Sequence, residues 1–213
     1  MDIAFIGTRG VPASYSGFET AVEQIGRRMV ERGHRVTVYC RRSHFQEFPT
    51  DHLGMRLRYL PAIREKHLET LSHTALSALR LSRETAIVCM GVGNAPVVRA
   101  LELAGHRTVF NVDGADWQRD KWGRFARWYL RTCEGLAARG TSIVLADAEA
   151  VQRYYRDVYG RETEVGTYGA DPPAGRGTEH PAQSRRTPKT YPPPVRPTSP
   201  AAPPHAHAAS SPE

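Results

Sequence analysis

Residues Asp2–Tyr39 read DIAFIGTRGVPASYSGFETAVEQIGRRMVERGHRVTVY, and the changes of period within them decide the fold. Ile3 to Ile6 is a short apolar run beside a glycine, which suits a buried strand. The run Gly7–Gly17 has no apolar period and reads as a loop. From Phe18 the apolar positions Phe18, Val22, Ile25 and Met29 fall four, three and four apart, one stripe of a helix. Gly33 stops that helix, and His34–Tyr39 reads as a second strand. Strand, loop, helix, strand is the unit of a parallel sheet.

The alternation continues outward. Met55, Leu57 and Tyr59 alternate as a strand ended by Pro61, and Leu68, Leu71, Ala75 and Leu79 mark a helix. Ala86–Met90 reads as a strand, followed by the Gly91–Pro96 loop and a helix to about Ala104. Thr108–Val112 is a strand, Gly123–Ala138 a helix and Ser142–Ala146 a strand. Asp147 stands where it would cap the next helix. Val165–Tyr168 reads as a last strand. The expected fold class is α/β, a doubly wound, mostly parallel Rossmann-like sheet.

Proline marks the end of that pattern. Twelve of the 16 prolines fall at or after Pro172, where large apolar residues are almost absent. Such a stretch buries too little surface to offset its ordering entropy. The expected organisation is therefore a Rossmann-like domain over 1–170 and a disordered Pro/Ala-rich tail over 171–213. The tail's composition resembles a GC-rich reading frame translated out of register.

The net charge is +7. It is spread over the chain, too thin for a nucleic-acid binder but compatible with phosphorylated ligands or an anionic membrane. Cys40, Cys89 and Cys133 form no CxxC and no even set, so they read as free thiols of a cytoplasmic protein. The N-terminus lacks the basic region of a signal peptide, and no apolar run reaches the ~20 residues of a membrane span. The histidines show no zinc spacing, so neither metal nor cofactor is expected.

In a doubly wound sheet, ligands bind beyond the carboxyl ends of the strands. The loop Gly7–Glu19 lies at that edge and leads into a helix N-terminus, whose free N–H groups attract phosphate. Gly7, Gly10 and Gly17 let a ligand approach the backbone. The spacing GTRGVP is not GxGxxG, and GxxxxGK[ST] is absent, so the dinucleotide and P-loop readings fail. The alternative is a glycine loop that only turns the chain.

The stretch IAFIGTRGVPASYSGFETAVEQIGRRMVERGHRVTVYCR resembles the start of the N-terminal domain of family 4 glycosyltransferases, nearest to the bacterial rhamnosyl- and glucosyltransferase-like subgroup. VDGADWQRDKWGRFARWYLRTCEGLA, ADAEAVQRYY and TYGAD resemble the same subgroup, in the same order, from about residue 2 to 171. The resemblance implies the N-terminal half of a GT-B fold. It implies hexosyl transfer from a nucleotide diphosphate sugar to a carbohydrate or lipid-linked acceptor, with retention and without a metal, in polysaccharide biosynthesis. Where the family has two adjacent glycines this chain has Ser16-Gly17, which adds a side chain beside the donor phosphates. Ala148 replaces the family's usual serine.

By that resemblance Gly7, Arg9, Gly10, Ser16, Gly17, Phe18 and Glu19 are candidate substrate-binding residues. The second candidate loop is Asn111–Trp122, which packs acids, bases and aromatics together. Aromatics stack on sugar faces and acids accept hydroxyl hydrogen bonds. Asp113 is the candidate catalytic group, with Asp116, Trp117, Arg119 and Lys121 as substrate contacts, the two cations facing phosphate. The alternative has Asp113-Gly114 as a turn, Asp116 as a cap, and Trp117 and Trp122 as core. The following helix carries Arg124, Arg127 and Arg131 with Phe125, Trp128 and Tyr129, either a solvated face or one that lies on the inner face of a membrane.

The family's second half, with its Glu-x7-Glu pair near the nucleotide, has no match; Glu23 and Glu31 have the spacing but lie on the first helix. The expectation is a truncated glycosyltransferase domain, weak or inactive alone. The rival reading is a non-catalytic sugar- or phosphate-binding module, or one half of a split enzyme whose C-terminal half is separately encoded.

Overall fold

A computed structural model describes residues 1–14, 17–65, 68–82, 85–112, 116–118 and 122–166. The proline-rich stretch and the expected boundary at 170 lie outside these residues, as do Ser16, Asp113, Arg119 and Lys121. The strands are β1 (Asp2–Ile6), β2 (Arg35–Arg41), β3 (Asp51–His52), β4 (Met55–Leu60), β5 (Ala86–Met90), β6 (Thr108–Val112), β7 (Ile143–Ala146) and β8 (Glu164–Val165). The helices are α1 (Gly17–Glu31), α2 (Glu69–Ala78), α3 (Ala95–Leu103), α4 (Arg124–Arg139) and α5 (Glu149–Tyr159).

The strands form one sheet in the order β3-β4-β2-β1-β5-β6-β7-β8. Every pairing is parallel except β3 with β4. The chain starts in the middle, builds outward through β2 and β4, then crosses back to β5 and builds the other way. The order therefore reverses between β1 and β5, the switch point at which such sheets bind ligands.

Alternation along β1 explains the two layers. Ile3 and Phe5 enter a core with Val22, Val36, Val38, Met55 and Leu57, under α1. Ala4 and Ile6 enter the larger core on the other face, with Ile87, Phe110, Val98, Leu130, Val144 and Tyr155. On the α1 side, the half of the sheet formed by β6 and β7 is uncovered among the described residues. Val109 and Leu145 are half-buried there and Ile143 is 55% exposed.

The helix marked by Leu68, Leu71, Ala75 and Leu79 forms as α2; the flanking Leu68 and Leu79 are 46% and 84% exposed, while His73, Thr74 and Ser77 are buried. The Thr74 and Ser77 hydroxyls donate back to the Thr70 and His73 carbonyls, which satisfies them without outside partners. Asp147 does not cap α5; Ala148 holds the cap position, with no side-chain cap bond. The last strand starts at Glu164 rather than Val165, and the end expected at Tyr168 lies outside the described residues.

One side chain ties the helix layer to the sheet on the far side. Glu102, in the last turn of α3, accepts the Ser142 N–H (2.7 Å), the Ser142 hydroxyl and an Arg99 N–H. Burial alone would raise its pKa, but the Ser142 bonds and Arg99 hold it below the usual carboxylate range. Glu102→Ala leaves the Ser142 N–H without its acceptor. It is expected to cost about 2–4 kcal/mol, read as a lower urea midpoint with an unchanged m-value.

Candidate functional site

Three loops meet at the carboxyl ends of the central strands. They follow β1 (from Gly7), β5 (Gly91–Asn94) and β6 (described at Asp116–Gln118). The first loop is held by its own helix. Glu19, in the first turn of α1 and 5% exposed, accepts the Arg9 N–H at 3.1 Å. Glu23, one turn on, accepts the Ala13 N–H at 2.7 Å and lies 3.2 Å from His52 Nε2. From the other side the Arg41 N–H donates to the Arg9 carbonyl at 2.8 Å. The loop is thus fixed before any ligand arrives.

The three glycines separate by what surrounds them. Gly7 has φ +88°, and a Cβ there would collide with the Met90 carbonyl and lie 2.9 Å from Asn94 Nδ2. Gly10 has φ +119°, and its Cβ would run into Cys40. Both are buried and allow loop and sheet to approach each other. A Cβ on Gly17 meets nothing within 4 Å among the described residues, so of the three glycines Gly17 has the open surroundings. Phe18 next to it is half-buried and packs on the α1-side core.

The β5 loop is locked to both neighbours. Asn94 Nδ2 donates to the Met90 carbonyl at 2.8 Å, and the Tyr129 hydroxyl of α4 donates to the Gly93 carbonyl at 2.8 Å. Yet three buried side chains here keep atoms without hydrogen-bond partners among the described residues: Thr8 Oγ1, Asn94 Oδ1 and both amide atoms of Asn111. Thr8 is 2%, Asn94 1% and Asn111 0% exposed. Buried polar groups are normally paired, so their concentration at one sheet edge fits groups that a ligand completes. Sequence reasoning missed Thr8 and Asn94, although both lie in loops it had singled out. It quoted Asn111 only as the start of its loop.

In the third loop, Trp117 is half-buried against the larger core, as is Trp122. The Trp117 indole N–H donates to Glu134 Oε2 at 3.1 Å, and the Arg131 guanidinium lies 5.4 Å from its ring centroid. Trp117 is therefore anchored inward, and the structure brings it together with α4 rather than with Arg9. Glu134 is fully buried and also accepts the hydroxyls of Tyr154 (3.0 Å) and Tyr159 (3.2 Å). Burial pushes its pKa up to about 7, against the pull of these hydrogen bonds.

A second charged cluster sits where β2 ends. Arg41, 5% exposed, pairs with Glu69 at 3.4 Å, and Glu69 also meets His44 at 2.8 Å and the Ser43 hydroxyl at 3.2 Å. Buried His73 stands beside this cluster. Burial first, and the Arg41 charge second, lower its pKa to about 4, so it is neutral near pH 7.

The glycine geometry yields a paired expectation. Gly7→Ala forces a Cβ onto backbone in a left-handed conformation and is expected to destabilise by about 2–5 kcal/mol. Gly17→Ala is expected to stay within about 1 kcal/mol of the parent. Thermal melts of both variants check this.

A family model described as a glycosyl transferase 4-like domain matches residues 16–167. No curated protein sequence matches the chain. Among solved structures, the sucrose-phosphate synthase of Thermosynechococcus elongatus aligns with a TM-score of 0.59 at 17% identity, over 80% of this chain and 48% of that one. The chain thus spans about half the length of that enzyme, and the likeness is one of fold. The chain belongs to the glycosyl transferase 4-like family, and its mostly parallel sheet is one Rossmann-like half of a GT-B fold.

Proposed function

We propose that this domain forms the acceptor-side wall of a hexosyl-transfer cleft. The donor is a nucleotide diphosphate sugar and the acceptor a carbohydrate or a lipid-linked sugar. The supporting observation is the set of buried polar atoms of Thr8, Asn94 and Asn111 at the switch point that have no hydrogen-bond partner among the described residues. The α1 N-terminus, Arg9 and the Ser16-Gly17 pair face the donor phosphates. Asp113 makes the polar contact to the transferred sugar, with Asp116, Arg119 and Lys121 lining the same segment. Glu19 acts by holding the Arg9 backbone, and Trp117 by anchoring its loop.

Transfer uses no metal in this reading, and the 213 residues alone turn over weakly, because a second half holds the nucleotide. The uncovered sheet face at Val109, Ile143 and Leu145 supports a further packed element beyond the described residues. The lipid-linked option is supported by α4. Phe125 is 77% and Trp128 62% exposed, their ring centroids are 5.7 Å apart, and Arg124, Arg127 and Arg131 share the exposed face. Aromatics among arginines suit an anionic headgroup layer, which supports a reaction at the inner face of a membrane. Among the described residues no helix is long and apolar enough to cross one.

Two experiments test this. With a panel of nucleotide diphosphate hexoses, the chain alone should show saturable binding and little transfer, and transfer should rise at least tenfold when a Glu-x7-Glu half is supplied. Full turnover by the chain alone would refute the division of labour, and no binding with or without that half would refute the reading. Phe125→Ser with Trp128→Ser should abolish sedimentation with phosphatidylglycerol vesicles and leave the melting temperature within about 2 °C; retained sedimentation refutes the membrane contact.

A further inference from the structure

Glu134 is placed oddly for a residue of a core helix. Its carboxylate lies at the back of the third loop, with Trp117 on one side and α5 on the other. Three donors converge on Oε2, from the Trp117 indole and the Tyr154 and Tyr159 hydroxyls, at 3.0–3.2 Å. Oε1 is buried and has no hydrogen-bond partner among the described residues. Here the carboxylate ties the described part of the third loop, Asp116–Gln118, to the body of the domain through the Trp117 indole.

We propose that Glu134 is a positioning residue for the third loop: its carboxylate anchors Trp117 and so holds the described part, Asp116–Gln118, against α4. The ligand-facing role of the loop rests on the function proposed above; the anchor itself does not. The tyrosines fix the carboxylate from α5, and the indole transmits that fixed position to the loop.

The anchor has a proton dependence. The ionisable groups facing Glu134 are Arg131 and Cys133 on α4 and Tyr154, Tyr155 and Tyr159 on α5; the loop contributes the non-titrating Trp117. Burial raises the tyrosines and the Cys133 thiol above their ordinary values, so among these groups Glu134 is the one brought to about 7. Its folded pKa, about 7, lies above the ordinary 4.5. The folded state therefore holds the proton more tightly between these values. Global stability falls as pH rises from about 4.5 to 7, and is flat above that window. The local effect has the opposite sign. An ionised acceptor makes stronger hydrogen bonds than a neutral one, so the grip on Trp117 tightens as pH rises through about 7. A merely structural residue would move global stability and loop order in the same direction.

The test is hydrogen–deuterium exchange of the full chain at pH 6.0 and 8.0, corrected for intrinsic rates, without ligand. In the parent protein the peptide covering 116–118 should exchange at least threefold more slowly at pH 8.0, while the β5 peptide 86–90 does not gain protection. Glu134→Gln should lose that pH response, and at pH 8.0 its loop should exchange at least threefold faster than the parent's. Should Glu134→Gln misfold, Trp117→Phe removes only the indole donor, and the same loosening is expected with the fold intact. A loop that exchanges alike in parent and Trp117→Phe, or a pH response that survives in Glu134→Gln, overturns the proposal. Absence of nucleotide-sugar binding by the parent counts against the proposed function and leaves the anchor standing.

Discussion

Everything at the ligand edge depends on β1 being buried on both faces and hydrogen-bonded on both sides. Ile3 and Phe5 fill one core, Ala4 and Ile6 the other, and the strand pairs in parallel with β2 and β5. A strand so placed cannot slip by one residue without turning each pair into the wrong layer. Its end is therefore fixed, and with it the start of the glycine loop. Because the chain leaves β1 toward β2 and returns to β5 on the other side, a crevice must open where the two connections part. Gly7 and the β5 loop meet there because Gly7 lacks the Cβ that would strike Met90.

The loops in that crevice are ordered from behind by acids. Glu19 and Glu23, one turn apart on α1, hold successive N–H groups of the first loop, and Glu134 on α4 holds the third loop by its tryptophan. Glu19, Glu23 and Oε2 of Glu134 accept from the protein itself. At the switch point the side chains left without hydrogen-bond partners among the described residues are neutral ones, Thr8, Asn94 and Asn111. An edge built this way presents backbone N–H groups, hydroxyl and amide dipoles with little negative charge toward an anionic ligand. That is consistent with a diphosphate approaching from the open side at Gly17, where repulsion by a bare carboxylate would be costly.

Most strand positions were legible in the sequence: β1 and β5 are short apolar runs beside glycine and β4 alternates up to Pro61, whereas the two-residue β3 carries no such pattern. The leucine period marked α2 but not which of its residues are buried. What α2 must cover is the polar end of β2, where Arg41 and Glu69 pair, so His73, Thr74 and Ser77 turn inward. The missing Asp147 cap has a similar origin: the helix begins at Glu149, one residue too late for Asp147 to reach its first N–H groups. Of the candidate site residues, Gly17 has the open surroundings expected of a ligand contact, whereas Gly7 and Gly10 have a packing reason of their own. Asp113, Ser16, Arg119 and Lys121 lie outside the described residues.

By itself, then, the sequence determined the layered α/β architecture, the strand ends and the segments of chain that reach the ligand edge. These follow from local periodicity and from the chirality of parallel connections, which few alternatives satisfy. Only the tertiary structure decided which polar side chains are spent and which are spare. Whether Glu19 faces a ligand or its own loop, and whether Trp117 offers a ring face or an indole N–H, depends on residues 10 and 17 positions away in the chain. Hydrogen-bond partners separated in sequence are set by packing, and no local period encodes them.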